Sequence, residues 1–201
     1  MKKIESYDKE AKKWSSLMID EKKYAHSQRF LLELIKKYKK KTMIDIGCGS
    51  GLYSIFFAKM GLNVTGIDIS KNMIKKCKKN ARGVMKVNFF CSDMNKFKVK
   101  KKFGVVLSSS SLHNMRLPTL LKSLKSLINM LEKEGILAIV MRLGNFEGLR
   151  VGHSDIKRYY RYSNPREIKR FLKKYDLVWE KTHYAISHKN PYFIIIFRNS
   201  Y

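Results

Sequence analysis

The stretch DIGCGSGLYS, residues 45–54, places a glycine at every second position three times, at Gly47, Gly49 and Gly51. Glycine has the most backbone entropy to lose on folding, so three in one turn must be required by something lying against them. The run TMIDIG (42–47) before the turn is apolar and of strand length, and LYSIFFAKMG (52–61) after it reads as a helix stopped by Gly61. A strand, a glycine turn and a helix in that order make a nucleotide-binding unit, where bare backbone lets a ligand and the helix approach closely. Asp68, seventeen residues past Gly51, ends the β-branched strand NVTGIDIS (63–70) and is placed to accept from ribose hydroxyls. Dinucleotide loops use G-x-G-x-x-G to meet pyrophosphate with amides. Here the spacing is G-x-G-x-G, and Asp45 stands at its mouth. An acid there repels pyrophosphate and suits a ligand that carries a cationic amine.

The rest of the chain alternates in the same way. Residues 4–18 and 21–38 are expected as helices, the second with Phe30, Leu31, Leu34, Ile35 and Tyr38 at helical spacing. Ser70 or Asn72 caps a helix with the stripe Met73, Ile74 and Cys77, and VNFFCSD (87–93) and FGVVLSSSS (103–111) are the third and fourth strands. PTLLKSLKSLINMLEKEG (118–135) reads as a helix with proline near its start and glycine after its end, followed by the fifth strand ILAIVMR (136–142). These five strands are expected to be covered on both faces. An irregular stretch runs from Arg142 to about Tyr162. A helix follows, capped by Asn164, with Pro165 at its first position and Glu167 closing a capping box. The segments 177–186 and 192–199 are joined by SHKNP and are expected to pair antiparallel. Strands alternating with helices give a parallel α/β sheet.

A length of 201 residues suits one domain, and a hydrophobic share of 44% supplies a real core. The chain has no apolar run of membrane-spanning length and no apolar leader behind MKKIESYDKE. Cys48, Cys77 and Cys91 show no metal-ligand spacing, which points to a reduced, cytoplasmic protein without a bound metal. The outlying number is a net charge of +27. Such a charge invites phosphate polymers through counterion release. Lysine far outnumbers arginine, however, and arginine is the better bidentate reader of phosphates and bases.

MIDIGCGSGLYSIFFAKMG followed by VTGIDIS resembles the first motif and acidic loop of class I S-adenosylmethionine-dependent methyltransferases. The resemblance continues through FFCSDM, FGVVLSSSSLHNM and LEKEGILAIVM, and covers about residues 42–142 in order and spacing. The opening SYDKEAKKW and the segment 157–177 are similar to small, free-standing members related to the quinone-biosynthesis type. It implies a Rossmann-like, seven-stranded, mostly parallel sheet with helices on both faces and an antiparallel last strand. The domain would span 1–201, with a helical cap at 1–40, a cofactor-binding core at 42–142, and a lid loop, helix and strand pair at 143–201.

The resemblance also implies roles for single residues. Gly47, Cys48 and Gly49 lie along the methionine part of S-adenosylmethionine, with Gly51 completing the loop and Asp45 near the amino group. Asp68 holds the ribose, Ile69 packs on the adenine, Asp93 accepts from the adenine amine, and Met94 offers its backbone. Ser108 and Ser109 border the methyl group, and Tyr7 folds over the cofactor. Bland readings stand beside these: Asp93 as a cap for MNKF, Tyr7 as an amphipathic contact, Asp45 as an ordinary strand-end carboxylate.

Methyl transfer is an in-line displacement that needs a held nucleophile, and a base only where the acceptor begins protonated. His113, just past the fourth strand, is either that base or a packing residue. The chain has SSSSLH where base-amine methyltransferases resemble one another in an N/D-P-P-Y/F/W tetrapeptide. It also lacks the nucleophilic cysteine of the cytosine-carbon type and the acid of the ribose type. A small-molecule acceptor is therefore expected, with non-specific RNA binding through the basic surface. An RNA methyltransferase and a non-catalytic cofactor-binding protein remain the alternatives. Arg142, Arg158 and Arg161, with His153 and the neighbouring aromatics, are the substrate-facing candidates on the lid. No oligomeric state follows from the sequence.

Overall fold

The computed structural model describes residues 7–8, 21–98, 101–151, 157–187 and 190–200. The chain divides into two compact units, residues 1–98 and 99–201. Apart from Tyr7 and Asp8, the expected helix at 4–18 lies outside the described residues, as does His153.

The first unit contains α1 (Glu21–Lys37), β1 (Thr42–Ile46), α2 (Leu52–Lys59), β2 (Asn63–Asp68), α3 (Lys71–Asn80) and β3 (Val87–Cys91). β1 pairs parallel with β2, and β2 with β3, in a register that sets Asp45 beside Gly66 and Asp68 beside Cys91. Helix α1 buries Leu31 and Ile35 and leaves Lys36 and Lys37 exposed. Gly61 follows the end of α2 at φ 97°, a left-handed position that a glycine reaches without strain. Ser70 caps α3 by accepting the N–H of Met73 at 3.1 Å, and the stripe Met73, Ile74 and Cys77 is buried. β3 departs from the expected two-sided burial. Phe89 packs inward against Cys48, Ile74 and Cys77, while Phe90 stays half exposed. The strand is the outermost of the three, so only one of its faces is covered.

Gly66 shows how tight that packing is. A β-carbon on it would lie 2.6 Å from the Phe89 ring, well inside van der Waals contact. Gly66→Ala should therefore lower stability by about 1–3 kcal/mol through overpacking, measured as a drop in the urea midpoint. An unchanged midpoint would show that the ring moves aside freely.

The second unit contains β4 (Phe103–Ser109), a single 3-10 turn (Leu112–Asn114), α4 (Leu117–Ile128), β5 (Leu131–Arg142), β6 (Glu147–Val151), β7 (Lys157–Arg161), α5 (Pro165–Leu172), β8 (Leu177–Ser187) and β9 (Asn190–Asn199). β4 pairs parallel with β5, β5 antiparallel with β9, and β9 antiparallel with β8. The fold is the expected Rossmann-like class, a seven-stranded, mostly parallel sheet whose last strand is antiparallel. β6 and β7 form a separate two-stranded sheet.

Three expectations in this unit are corrected. Helix α4 ends at Ile128, not near residue 135, because the carbonyl of Met130 is taken by the N–H of Phe103 at 2.8 Å and Leu131 enters the sheet beside Phe103. Gly135 is therefore not a helix cap. It lies within β5, next to the left-handed Glu134 at φ 57°, where a β-carbon would meet the Glu132 carbonyl at 2.8 Å. Within the stretch expected to be irregular, residues 147–151 and 157–161 pair antiparallel as the β6–β7 hairpin, with Gly148 opposite Tyr160. Finally, Asn164 does cap α5, accepting the N–H of Glu167 at 2.9 Å, but the Glu167 carboxylate binds Arg161 instead of closing a capping box.

Candidate functional site

The glycine turn follows β1 with Gly47, Gly49 and Gly51 at φ 71°, 56° and 88°. All three lie in the left-handed region, which explains the alternation in the sequence. The N–H groups of Gly47 and Cys48 both bond the Ile67 carbonyl, at 2.8 and 3.0 Å. The N–H of Gly49 bonds the Asp68 carboxylate at 3.0 Å, and that of Gly51 bonds the Cys48 carbonyl at 2.9 Å. These four amides are spent inside the chain, unlike the outward amides of a pyrophosphate cradle.

Acids gather here instead. Asp45 is not at the mouth of the loop; it is 2% exposed at the end of β1 and accepts from the Ser54 hydroxyl at 2.7 Å. Burial pushes its carboxyl up to about 6 against the opposing pull of that hydrogen bond, and the charge of Asp68 adds to the rise. Asp68 accepts from Gly49 and, at 2.9 Å, from the N–H of Ser70, yet burial still raises its carboxyl. Asp8, which the sequence did not single out, completes the group. Its carboxylate accepts from the Ser70 hydroxyl and the N–H of Asn72, and its carbonyl from the Asn72 side chain. Its charge reaches Asp68. Its only sequence signal is its position next to Tyr7. Three carboxylates thus converge in a chain of net charge +27.

The other nominated residues of this unit fall around the same loop. Cys48 is buried, its sulfur 3.8 Å from that of Cys77, whose thiol donates to the Gly49 carbonyl at 2.8 Å. The Cys77 thiol and burial together push the Cys48 thiol well up, so it is an inert packing group. Asp93 takes the N–H of Asn95 at 2.8 Å and its carbonyl takes those of Lys96 and Phe97. It organises a turn, not a helix, and Met94 lies half-buried within it. Ile69 and Tyr7 are half-buried.

In the second unit, Ser108 is buried at the end of β4, with its hydroxyl 2.6 Å from that of Ser111, and Ser109 next to it is half-buried. His113 is 7% exposed and stacks on Tyr160, ring centroids 5.7 Å apart. Asn114 donates to the Tyr159 carbonyl at 2.9 Å. These two contacts tie the 3-10 turn to β7, and they favour the packing role for His113. The nominated arginines separate. Arg158 is buried; Arg161 is held by Glu147 and Glu167; Arg142 lies over the Tyr162 ring at 5.8 Å. Arg161→Ala should therefore loosen the hairpin, costing about 1–2 kcal/mol in a urea titration, because it leaves Glu167 partly buried without its partner. Wild-type stability in that variant would show that the two ion pairs of Arg161 do not hold the hairpin.

Among the described residues no group of three or more His, Cys, Asp or Glu side chains forms a metal site, and no helix is long and apolar enough to cross a membrane.

Residues 43–135 match the family described as a methyltransferase domain. The ubiquinone biosynthesis O-methyltransferase of Pelagibacter ubique is 38% identical over 74 residues, 36% of this chain and 31% of that protein. The stretches matched in curated relatives span less than two fifths of those proteins' own length. Among solved structures, the 1,6-didemethyltoxoflavin-N1-methyltransferase of Burkholderia thailandensis, bound to 1,6-didemethyltoxoflavin and S-adenosylhomocysteine, superposes with a TM-score of 0.81. Identity is 17%, over 98% of this chain and 87% of that one. An S-adenosylmethionine-dependent methyltransferase of Clostridium acetobutylicum ATCC 824 gives 0.72 at 16% identity, over 90% and 92% of the two chains.

Proposed function

We propose that this chain, a member of the class I S-adenosylmethionine-dependent methyltransferase family, transfers the methyl group of S-adenosylmethionine to a small-molecule acceptor. The observation that carries the reading is the acidic glycine turn. Asp8, Asp45 and Asp68 converge where the loop amides are already spent, so the site favours a cationic ligand over a pyrophosphate. A bound S-adenosylmethionine supplies an electrophilic methyl on a sulfonium. The residues present fit it. Gly47, Cys48 and Gly49 offer bare backbone to its amino-acid part, and the Asp45 charge supports its ammonium. Asp68 exchanges its bond to Gly49 for ribose hydroxyls, while Ile69, Asp93 and Met94 receive the adenine. Ser108, Ser109 and Tyr7 remain assigned to the cofactor by family resemblance. No residue is required to protonate the leaving group, so the chain's work is to bind, orient and keep water away.

The acceptor is proposed to be small for two reasons. The tetrapeptide and the cysteine that mark two nucleic-acid chemistries are absent from the sequence. The structural neighbours also include an enzyme whose described substrate, 1,6-didemethyltoxoflavin, is a small molecule. The +27 charge is proposed to bind RNA without sequence preference and with a steep salt dependence. A reducing, cytoplasmic setting fits the three free thiols.

The test is transfer of radiolabel from methyl-labelled S-adenosylmethionine. Label should enter the small-molecule fraction of a host extract and leave bulk tRNA unlabelled. Label at one nucleotide position of tRNA would make RNA the acceptor. Cofactor binding with no transfer to any fraction would leave a non-catalytic binding protein.

A further inference from the structure

We propose that the cavity framed by the β6–β7 hairpin and the start of α5 binds a small molecule through its carboxylate or phosphate group. The proposal does not depend on the methyl-transfer reading above. The cavity measures about 410 Å³, and its wall includes Arg161, Arg166, Arg170, Tyr162, Glu147 and Glu167. That volume lies in the range of small-molecule sites.

The charges on the wall decide what kind. Both carboxylates already hold strong donors: Arg161 reaches Glu147 with one nitrogen and Glu167 with the other, and the Tyr159 hydroxyl also donates to Glu147. The Tyr159 bond and the Arg161 charge hold the Glu147 carboxyl below its usual range, so it stays ionised and engaged. Three arginines against two glutamates leave the wall positive. Arg166 and Arg170 supply that excess. They are exposed and stand four residues apart on α5, so their guanidinium groups emerge on one side of the helix. Two more cations gather on Tyr162, where Arg150 donates to its hydroxyl at 3.1 Å and Arg142 sits over its ring.

A guanidinium fork matches a carboxylate or phosphate with two parallel hydrogen bonds, which a lysine cannot do. In a chain where lysine fills most of the basic surface, arginines around one cavity are the exception. The N-terminus of α5 is not the anchor, because Asn164 already takes the N–H of Glu167. Tyr162, with Phe146 tilted against it at 5.5 Å, gives a flat apolar side for the body of the same ligand.

The test titrates the full chain in low salt with inorganic phosphate and, separately, with benzoate, followed by calorimetry. At least one should bind saturably, and Arg166→Ala with Arg170→Ala should weaken it ten-fold or more. The better-bound probe tells phosphate from carboxylate. The matching exposed pair on α3, changed by Lys75→Ala with Lys79→Ala, should leave the affinity as it was. If the alanine pair fails to fold, Arg166→Lys with Arg170→Lys decides: it keeps the charge, loses the fork, and should bind three-fold or more weaker. Failure of both probes to saturate overturns the site. Wild-type affinity in a folded arginine variant, or an equal loss in the lysine control, does the same. S-adenosylmethionine affinity measured on the same samples separates a failure of the cofactor reading, because the anion titration needs neither cofactor nor turnover.

Discussion

Asp45→Asn is expected to stabilise the ligand-free protein at pH 7.5 by up to about 3 kcal/mol. The carboxyl of Asp45 is pushed from 3.8 to about 6 because the folded chain buries it. A raised carboxyl means that the folded state holds its proton more tightly than the unfolded state. Stability from this group is then greatest below the unfolded value and declines as pH rises from about 4 to about 6, leaving a full penalty above that. A shift of about two units corresponds to about 3 kcal/mol. Asparagine carries no charge and its carbonyl can still accept from Ser54, so the penalty is removed while the hydrogen bond remains. Urea unfolding of both proteins at pH 4, 6 and 7.5 isolates this site from the general repulsion of a highly charged chain. The advantage of the variant should be close to zero at pH 4 and largest at pH 7.5. A difference that does not vary with pH would show that the folded and unfolded chains release the Asp45 proton at the same pH, so that burial does not raise its carboxyl. The same change should weaken S-adenosylmethionine at least ten-fold, since it trades binding charge for stability.

Gly49→Arg should abolish cofactor binding altogether, a loss beyond 100-fold. Gly49 sits at φ 56°, where a β-carbon costs about 1–2 kcal/mol. The larger effect is chemical. Gly49 gives its N–H to Asp68, so an arginine here brings its own cation to the carboxylate proposed to hold the ribose. Asp68→Ala should lose roughly ten- to 100-fold, because it removes the proposed acceptor of ribose hydroxyls and also frees the loop amide. Equilibrium dialysis with labelled cofactor measures both, and far-UV circular dichroism checks that each variant is folded. Near wild-type affinity in Gly49→Arg would place the ligand elsewhere.

The sheet could be read from the sequence because its strands announce themselves locally. TMIDIG, NVTGIDIS and ILAIVMR carry the apolar, β-branched runs that buried parallel strands require, and Ser70, Asn164 and Gly61 mark helix ends by chemistry that acts over three or four residues. The errors arose where distant pairing overrides local preference. LINMLEKEG has helical spacing, yet Phe103 claims the Met130 carbonyl and draws Leu131 into the sheet. The β6–β7 hairpin has no clear alternation, and it is held partly by Arg161 reaching Glu147 and Glu167, partners 14 and 6 residues away.

The site shows the same division. The glycine alternation and Asp68 are visible because they sit in one short motif. The burial of Asp45 against Ser54 is invisible, since it depends on how α2 lies on β1. Asp8 is 62 residues from the Ser70 it binds, so nothing local could have marked it in place of Tyr7.

The most direct measurement of the central claim is a calorimetric titration of the wild-type chain with S-adenosylmethionine and, in parallel, with NADH. An acidic turn whose amides are spent should bind the sulfonium cofactor saturably at one site per chain and give no heat with the dinucleotide. Saturable binding of NADH with no response to S-adenosylmethionine would contradict the account.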